Sequence, residues 1–139
     1  MYGWDIMPRA LSAGIWRPVR IVYVPEEHID DVYLETLNIA QDRSAATLNL
    51  HYTARLRSHP HDDYELLLEA SCGEESFSHR QRILYGAGSY RFDVPQPLLW
   101  WPRGRGDQNL YDCTLSLLHK GEKLDEVHFP LGIRTVSLE

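Results

Sequence analysis

The feature that most constrains the fold of this chain is an alternation of apolar and polar residues with a period of two. It is clearest in residues 47–57, where one parity is polar and the other is apolar, namely Leu48, Leu50, Tyr52, Ala54 and Leu56. Successive side chains of a strand point to opposite faces of a sheet, so this segment is predicted to be a strand with one buried face and one solvated face.

Weaker forms of the same alternation recur along the chain, separated by turn-forming residues. The further predicted strands are residues 32–39, 64–70, 77–84, 90–94, 111–118 and 127–138. Because no helical periodicity accompanies them, they predict an all-β fold, an immunoglobulin-like two-sheet antiparallel sandwich of about seven strands. The fourth strand is predicted to lie at a sheet edge because it carries Arg80, Gln81 and Arg82. Charged side chains at an edge discourage pairing with other chains. The predicted inward-facing residues are Leu50, Tyr52, Leu66, Leu68, Phe92, Tyr111, Cys113 and Leu115.

Residues 98–111 join the fifth predicted strand to the sixth and contain two adjacent tryptophans, Trp100 and Trp101. Two neighbouring indoles cannot alternate inward and outward as a half-buried strand requires. Pro102, Gly104 and Gly106 then interrupt any ladder of hydrogen bonds. This segment, called here the tryptophan crossing, is therefore predicted to be a fixed loop anchored by its aromatic side chains.

The end of the tryptophan crossing carries half of a known sandwich signature. Tyr111 lies two residues before Cys113 at the start of a strand, which is the tyrosine-corner pattern of immunoglobulin-like domains. No cysteine lies in the earlier strand that would carry a disulfide partner, so packing alone is expected to hold the core. Pro130 and Gly132 interrupt the last predicted strand and favour a bulge or an edge position there.

Composition excludes several classes of function. The 139 residues carry a formal charge of −6, which opposes a role in binding nucleic acid, since such proteins usually present a basic face. No apolar run is long enough to span a membrane, and no signal peptide is visible. Cys72 and Cys113 are far apart without metal-ligand spacing, which favours free thiols over a bridge and leaves the compartment open.

Short motifs in the loops indicate turns rather than active sites. His59, His61, Asp62 and Asp63 have the residue types of a metal site, but a single flexible loop offers no prearranged geometry, and a solvated turn is favoured. The string 105–107, Arg-Gly-Asp, is short enough to occur by chance in a glycine-rich loop. No nucleophile motif or pair of carboxylates stands out, so no catalytic residue, metal or cofactor is predicted.

The first two dozen residues do not fit the sandwich pattern. Residues 2–24 form a predicted loop with Gly3, Pro8 and Gly14, followed by a β-branched strand, and they contain Trp4 and Trp16. So many apolar side chains ahead of the regular strands imply that this segment packs against something else. If that cover is missing, self-association of the chain through residues 2–24 is the expected way to bury them.

Two groups of motifs resemble glycoside hydrolase family 2, most closely its β-mannosidase-like members. Residues 2–5 (Tyr-Gly-Trp-Asp), 8–9 (Pro-Arg) and 14–19 (Gly-Ile-Trp-Arg-Pro-Val) are similar to the end of the amino-terminal sugar-binding jelly roll. Residues 99–102 (Leu-Trp-Trp-Pro), Gly104, Gly106, Gln108, 110–111 (Leu-Tyr) and 132–136 (Gly-Ile-Arg-Thr-Val) resemble the immunoglobulin-like domain that follows. The resemblance thus divides the chain into residues 1–24, the end of a jelly roll, and 25–139, an immunoglobulin-like domain.

The resemblance implies a part of a larger enzyme. Such enzymes continue into a (β/α)₈ barrel that holds both catalytic glutamates, so the chain itself is expected to be inactive and to space the sugar-binding domain from the barrel. Its expected partners are those two domains and a carbohydrate substrate. The alternative interpretation is a free-standing sandwich that binds carbohydrate or a protein.

Two residues are candidates for contact with a sugar, by resemblance alone. In β-mannosidase-like relatives the Gly-Trp-Asp loop reaches toward the mouth of the barrel, which implies that Trp4 offers an apolar face to a sugar ring and Asp5 accepts hydrogen bonds from hydroxyls. Trp4 as a packing residue of the jelly roll is the alternative. Ile6 and Met7 stand where a tryptophan and a glycine often follow in those relatives, which leaves a preference for mannose open.

Overall fold

The computed structural model describes residues 14–15, 17–57 and 63–136. These residues form seven strands: β1 (His28–Ile39), β2 (Ala45–Arg55), β3 (Tyr64–Cys72), β4 (Glu75–Ile83), β5 (Ala87–Pro95), β6 (Tyr111–His119) and β7 (Glu122–Leu131). One sheet has the order β1-β2-β5 and the other β4-β3-β6-β7, and every neighbouring pair is antiparallel. Apolar side chains from both sheets share one core, which confirms the predicted two-sheet sandwich.

The ends of the first and last strands differ from the prediction. Strand β1 begins at His28 rather than Val32, because Ile29 is buried in the core and a bulge between Ile29 and Asp31 restores the alternation. Strand β7 begins at Glu122, directly after a two-residue turn, and ends at Leu131. Lys120 and Gly121 both have positive φ in that turn, as tight hairpins require. The edge positions predicted for β4 and β7 are confirmed.

The strand predicted from the β-branched residues before Pro25 is wrong. Residues 17–25 are not in a strand, and the side chains of Val19, Ile21 and Tyr23 are 73%, 102% and 89% exposed. A run of β-formers becomes a strand only when a neighbouring backbone pairs with it. No such partner lies beside it in the described part of the chain.

The core follows the predicted faces closely. Seven of the eight residues predicted to face inward are buried, and the eighth, Phe92, is half-buried. Phe92 belongs to β5, an edge strand, and its ring stacks on that of His79 from the edge strand β4 at 4.3 Å. These two edges close one side of the sandwich, which explains why their side chains stay partly accessible.

The outer face of the three-stranded sheet holds one correction. Asn49 belongs to the polar parity of residues 47–57 and is therefore predicted to be solvated, yet it is only 6% exposed. The side chains of Glu35 and His51 cover it: the Asn49 amide donates to Glu35 Oε1 at 3.1 Å, and His51 Nε2 lies 2.7 Å from the same oxygen. Two polar side chains, those of Glu35 and His51, therefore bury Asn49 on the solvent-facing side of the sheet.

Both cysteines are free thiols, as predicted. Cys113 is completely buried in the core, and this burial, reinforced by the nearby Asp112 carboxylate, raises the pKa of its thiol to about 12. A thiol with such a pKa remains protonated at physiological pH and behaves as a small apolar side chain.

Candidate functional site

Hydrogen bonds hold the tryptophan crossing in place, both at its two ends and within the loop. The backbone N–H of Trp100 donates to the carbonyl oxygen of Ile133 at 3.0 Å, and that of Trp101 donates to the carbonyl oxygen of Asp107 at 2.9 Å. Arg105 N–H donates to the Pro102 carbonyl at 2.9 Å and closes a turn. The predicted fixed loop is confirmed, and the Arg-Gly-Asp string is part of its turn.

Tyr111 anchors the far end of the crossing. Its side chain is 2% exposed, and its hydroxyl accepts a hydrogen bond from the backbone N–H of Leu98 at 2.9 Å. Burial raises the pKa of the Tyr111 hydroxyl, and the hydrogen bond from Leu98 opposes the rise only in part. The predicted tyrosine corner is thus present, with the hydroxyl joined to backbone at the start of the crossing.

An arginine guanidinium lies over each indole ring of the crossing. The Arg43 Cζ atom lies 5.3 Å from the centroid of Trp101, and the Arg134 Cζ atom lies 4.9 Å from that of Trp100. A guanidinium at this distance is attracted by the ring quadrupole. Arg43 belongs to the turn between β1 and β2 and Arg134 follows β7, so these contacts join three separate parts of the chain at one end of the sandwich.

Two glycines make room for the indoles. A Cβ atom at Gly106 would stand 2.7 Å from Cδ1 of Trp101, and one at Gly132 would stand 3.1 Å from Cγ of Trp100. Gly106 also has a φ of 150°, which few residues with a side chain adopt. The glycine pattern of the crossing therefore follows from the packing of its tryptophans.

A groove of about 430 Å³ lies at this end of the sandwich, between the β1–β2 turn, the crossing and residues 133–136. Its lining is apolar except for Gln41, the hydroxyl of Thr135 and two arginines. The lining residues are Ile39, Ala40, Gln41, Arg43, Leu99, Trp100, Trp101, Pro102, Ile133, Arg134, Thr135 and Val136. It is large enough for a few side chains or one small ligand.

Three comparisons with known proteins decide the family. The profile of the family described as "Glycosyl hydrolases family 2" matches residues 27–134. The chain belongs to this family. It is 32% identical over 138 residues to "Beta-mannosidase B" of Emericella nidulans and 33% identical over 145 residues to the protein of the same name from Aspergillus oryzae.

The matched relatives are much longer than this family 2 chain. In both fungal proteins the match covers 99% of the chain and 16% of the relative. The structure of a β-D-mannosidase from Dictyoglomus thermophilum superposes with a TM-score of 0.73 and 31% identity, over 99% of the chain and 17% of that protein. A β-glycosidase from Bacteroides vulgatus shares the fold at 17% identity and a TM-score of 0.62, over 81% of the chain and 14% of that protein.

The predicted sugar contacts of this family 2 chain, Trp4 and Asp5, lie outside the described residues, as do His59, His61 and Asp62 of the histidine-rich loop. Asp63, the last residue of that loop motif, is described and pairs with Arg82 at 3.0 Å. Among the described residues, no three histidines, cysteines or carboxylates come together as a metal site would require. Within the same residues, no helix has the length and apolar character that crossing a membrane would require.

The described carboxyl groups show one common electrostatic trend. Wherever their pKa departs from the ordinary value it is lowered, at Glu27, Glu35, Asp42 and Glu126. Hydrogen bonds from His51 and Asn49 lower the pKa of Glu35. A general acid needs the opposite shift, so these carboxylates have the character of structural partners.

Sequence reasoning missed the two arginines of the groove. Arg134 lies in one of the motifs that resemble the family, but nothing in the motif assigned it a partner, and Arg43 lies in a segment interpreted only as a turn. A sequence signal was present in the glycines: Gly106 and Gly132 indicate that large rings pass close to the backbone there. Which cation covers which ring depends on tertiary contacts.

Proposed function

We propose that this chain is a non-catalytic part of a family 2 glycoside hydrolase similar to β-mannosidases, in which it spaces a sugar-binding domain from the catalytic barrel. The observation that carries the proposal is the coverage: 99% of the chain matches the relatives, but only 16% of their length is accounted for. The larger protein would be a retaining hydrolase acting on a carbohydrate, and its catalytic carboxylates would lie outside this chain.

The geometry supports a division of the chain near Pro25. Residues 17–24 run outside the sandwich with exposed side chains, whereas the sandwich begins where the His28 ring donates to the Pro25 carbonyl at 2.6 Å. In the proposal, residues 1–24 are the terminal segment of the jelly roll and residues 25–139 the immunoglobulin-like domain. The exposed apolar segment then finds its cover in the preceding domain.

Trp4 and Asp5 keep their proposed role in the larger protein. They belong to the segment assigned to the jelly roll, and the family resemblance of residues 2–5 supports contact with the terminal sugar. Trp4 would stack its ring on the sugar and Asp5 would accept hydrogen bonds from its hydroxyls.

An activity assay combined with the genomic context tests the proposal. The purified chain should release no phenol from aryl β-mannosides above the buffer rate, with Beta-mannosidase B of E. nidulans as positive control. The uninterrupted reading frame should encode a jelly roll before these residues and a barrel with paired glutamates after them. Turnover that persists through repurification and disappears in Asp5→Ala would contradict the proposal.

A further inference from the structure

The groove beside the tryptophan crossing lies where the chain leaves the sandwich. Arg134, Thr135 and Val136 form one of its walls, directly after β7, and Val136 is 69% exposed. The family match ends at residue 134, whereas the relatives have most of their length outside the matched part. The groove is therefore next to the point at which a longer family 2 chain continues.

The lining of the groove is suited to a particular partner chemistry. Its floor combines aliphatic side chains with both indoles, and an accessible apolar surface of this kind in a concave site favours an apolar occupant. Arg43 and Arg134 lie against the indoles, so a sugar ring would have to displace a guanidinium to stack there. These contacts disfavour carbohydrate as the occupant.

The charge of the groove is opposite to that of the molecule. The lining includes two arginines and no aspartate or glutamate, in a chain whose formal charge is −6. Among the ion pairs of the described residues, none involves Arg43 or Arg134. A guanidinium over an aromatic ring can still donate N–H groups to a carboxylate.

We propose that this groove is the docking surface for the adjoining unit of the same polypeptide, which inserts an apolar side chain flanked by an aspartate or glutamate. The carboxylate pairs with Arg43 or Arg134, and the apolar side chain rests on the aliphatic lining and against the edges of the two indoles. The inference rests on the proposed function and deepens it, because it assigns the surface through which the spacer orients its neighbour.

A titration of the isolated chain tests the chemistry of the groove. The probe is hexanoate, a carboxylate on an apolar tail, followed through the indole N–H signals of Trp100 and Trp101 in ¹H–¹⁵N spectra. Hexanoate should shift both signals saturably and bind at least five-fold more tightly than hexan-1-ol, which lacks the charge, or acetate, which lacks the tail. Equal binding of hexanoate and hexan-1-ol, or shifts confined to other residues, would overturn the inference.

Arginine variants test whether the charge of the groove binds the carboxylate. Arg43→Gln and Arg134→Gln should each weaken hexanoate at least three-fold and leave hexan-1-ol unchanged. Arg103→Gln is the matched control, since Arg103 is an exposed arginine of the same crossing that does not line the groove. If a groove variant no longer shows the native melting transition, the inference is tested by the comparison of hexanoate, hexan-1-ol and acetate on the unaltered chain.

A crystal structure of the polypeptide encoded by the whole reading frame tests the source of the occupant. An aspartate or glutamate from outside these 139 residues should lie within 4 Å of Arg43 or Arg134, with an apolar neighbour against the aliphatic lining of the groove. A solvent-filled groove in that structure would overturn the docking surface and leave the spacer function intact. A reading frame that encodes no further domain would overturn both.

Discussion

At the scale of single residues, the contact between Tyr64 and Glu27 joins the segment before β1 to the core. The Tyr64 side chain is 1% exposed, and its hydroxyl donates to Glu27 Oε1, which also accepts the backbone N–H of Arg57 at 3.1 Å. Partial burial acts to raise the pKa of the Glu27 carboxyl, but the hydrogen bonds from Tyr64 and Arg57 outweigh it, so the pKa is lowered. This carboxylate therefore stabilises the fold more when it is ionised than when it is protonated.

Tyr64→Phe should lower the free energy of unfolding by about 1.5 to 3 kcal/mol near neutral pH, since it removes a hydrogen bond to a charged acceptor. A depressed folded pKa contributes stability above the unfolded value of 4.5, and this is lost as pH falls through the folded pKa. The difference between the free energies of unfolding of the two proteins, measured in urea, should thus shrink as the pH falls below 4.5. Tyr85→Phe is the control, because Tyr85 is 69% exposed. A difference that is constant with pH would contradict this account.

At the scale of elements, strand β2 is the centre of its sheet and contributes a continuous buried face. Leu50 is 1% exposed and pairs with Leu34 of β1 on one side and Tyr90 of β5 on the other. Leu50→Ala should cost about 2 to 5 kcal/mol of unfolding free energy, from lost burial and the cavity left behind. Leu37→Ala removes the same atoms from a residue that is 38% exposed, and should cost much less. Equal costs would mean that the assigned faces of these strands are wrong.

The tryptophan crossing provides a second prediction at this scale. Gly106→Ala should destabilise the protein by about 2 to 4 kcal/mol, since the new methyl group meets Trp101 and the backbone conformation is strained. Gly104→Ala introduces the same methyl group at a φ of 82° with no heavy atom within 4 Å, so only the backbone strain of about 1 to 2 kcal/mol applies. Thermal unfolding of both variants measures the difference. A Gly104→Ala variant as unstable as Gly106→Ala would show that contact with the indole is unimportant.

At the scale of the whole molecule, the exposed segment before Pro25 is expected to govern association. Each large apolar side chain left in water forgoes roughly 1.5 to 3 kcal/mol, and Ile21, Val22 and Tyr23 are among the exposed large apolar residues of the described chain. We therefore propose that the isolated chain self-associates through residues 2–24, in place of the preceding domain that would cover them in the proposed larger protein.

Light scattering tests this proposal. The 139-residue chain should have a molar mass above the 16.2 kDa of a monomer, with a mass that rises with concentration. A version that starts at Pro25 should be monomeric and should keep the melting behaviour of the sandwich. A monomeric full chain, or an oligomer that survives removal of residues 1–24, would rule out association through this segment.

The sequence by itself determined the architecture, because alternation with period two is a local property of each strand. The parity of Leu48, Leu50 and Tyr52 alone specifies which face of β2 is buried, and the three polar long side chains of β4 are sufficient to place it at an edge. The aromatic loop was also predictable, since adjacent Trp100 and Trp101 followed by Pro102 are incompatible with any regular strand.

Only the tertiary structure decided what depends on neighbours distant in sequence. Asn49 alternates as a solvated residue should, yet Glu35 on the adjacent strand and His51 cover it, a fact set by the register between β1 and β2. The β-branched residues before Pro25 have the propensity of a strand and form none, because a strand requires a second backbone. Likewise, the groove exists because folding brings Arg43 and Arg134 onto the two indoles. Contacts between separate elements leave no periodic pattern in the sequence, so the sequence alone did not predict them.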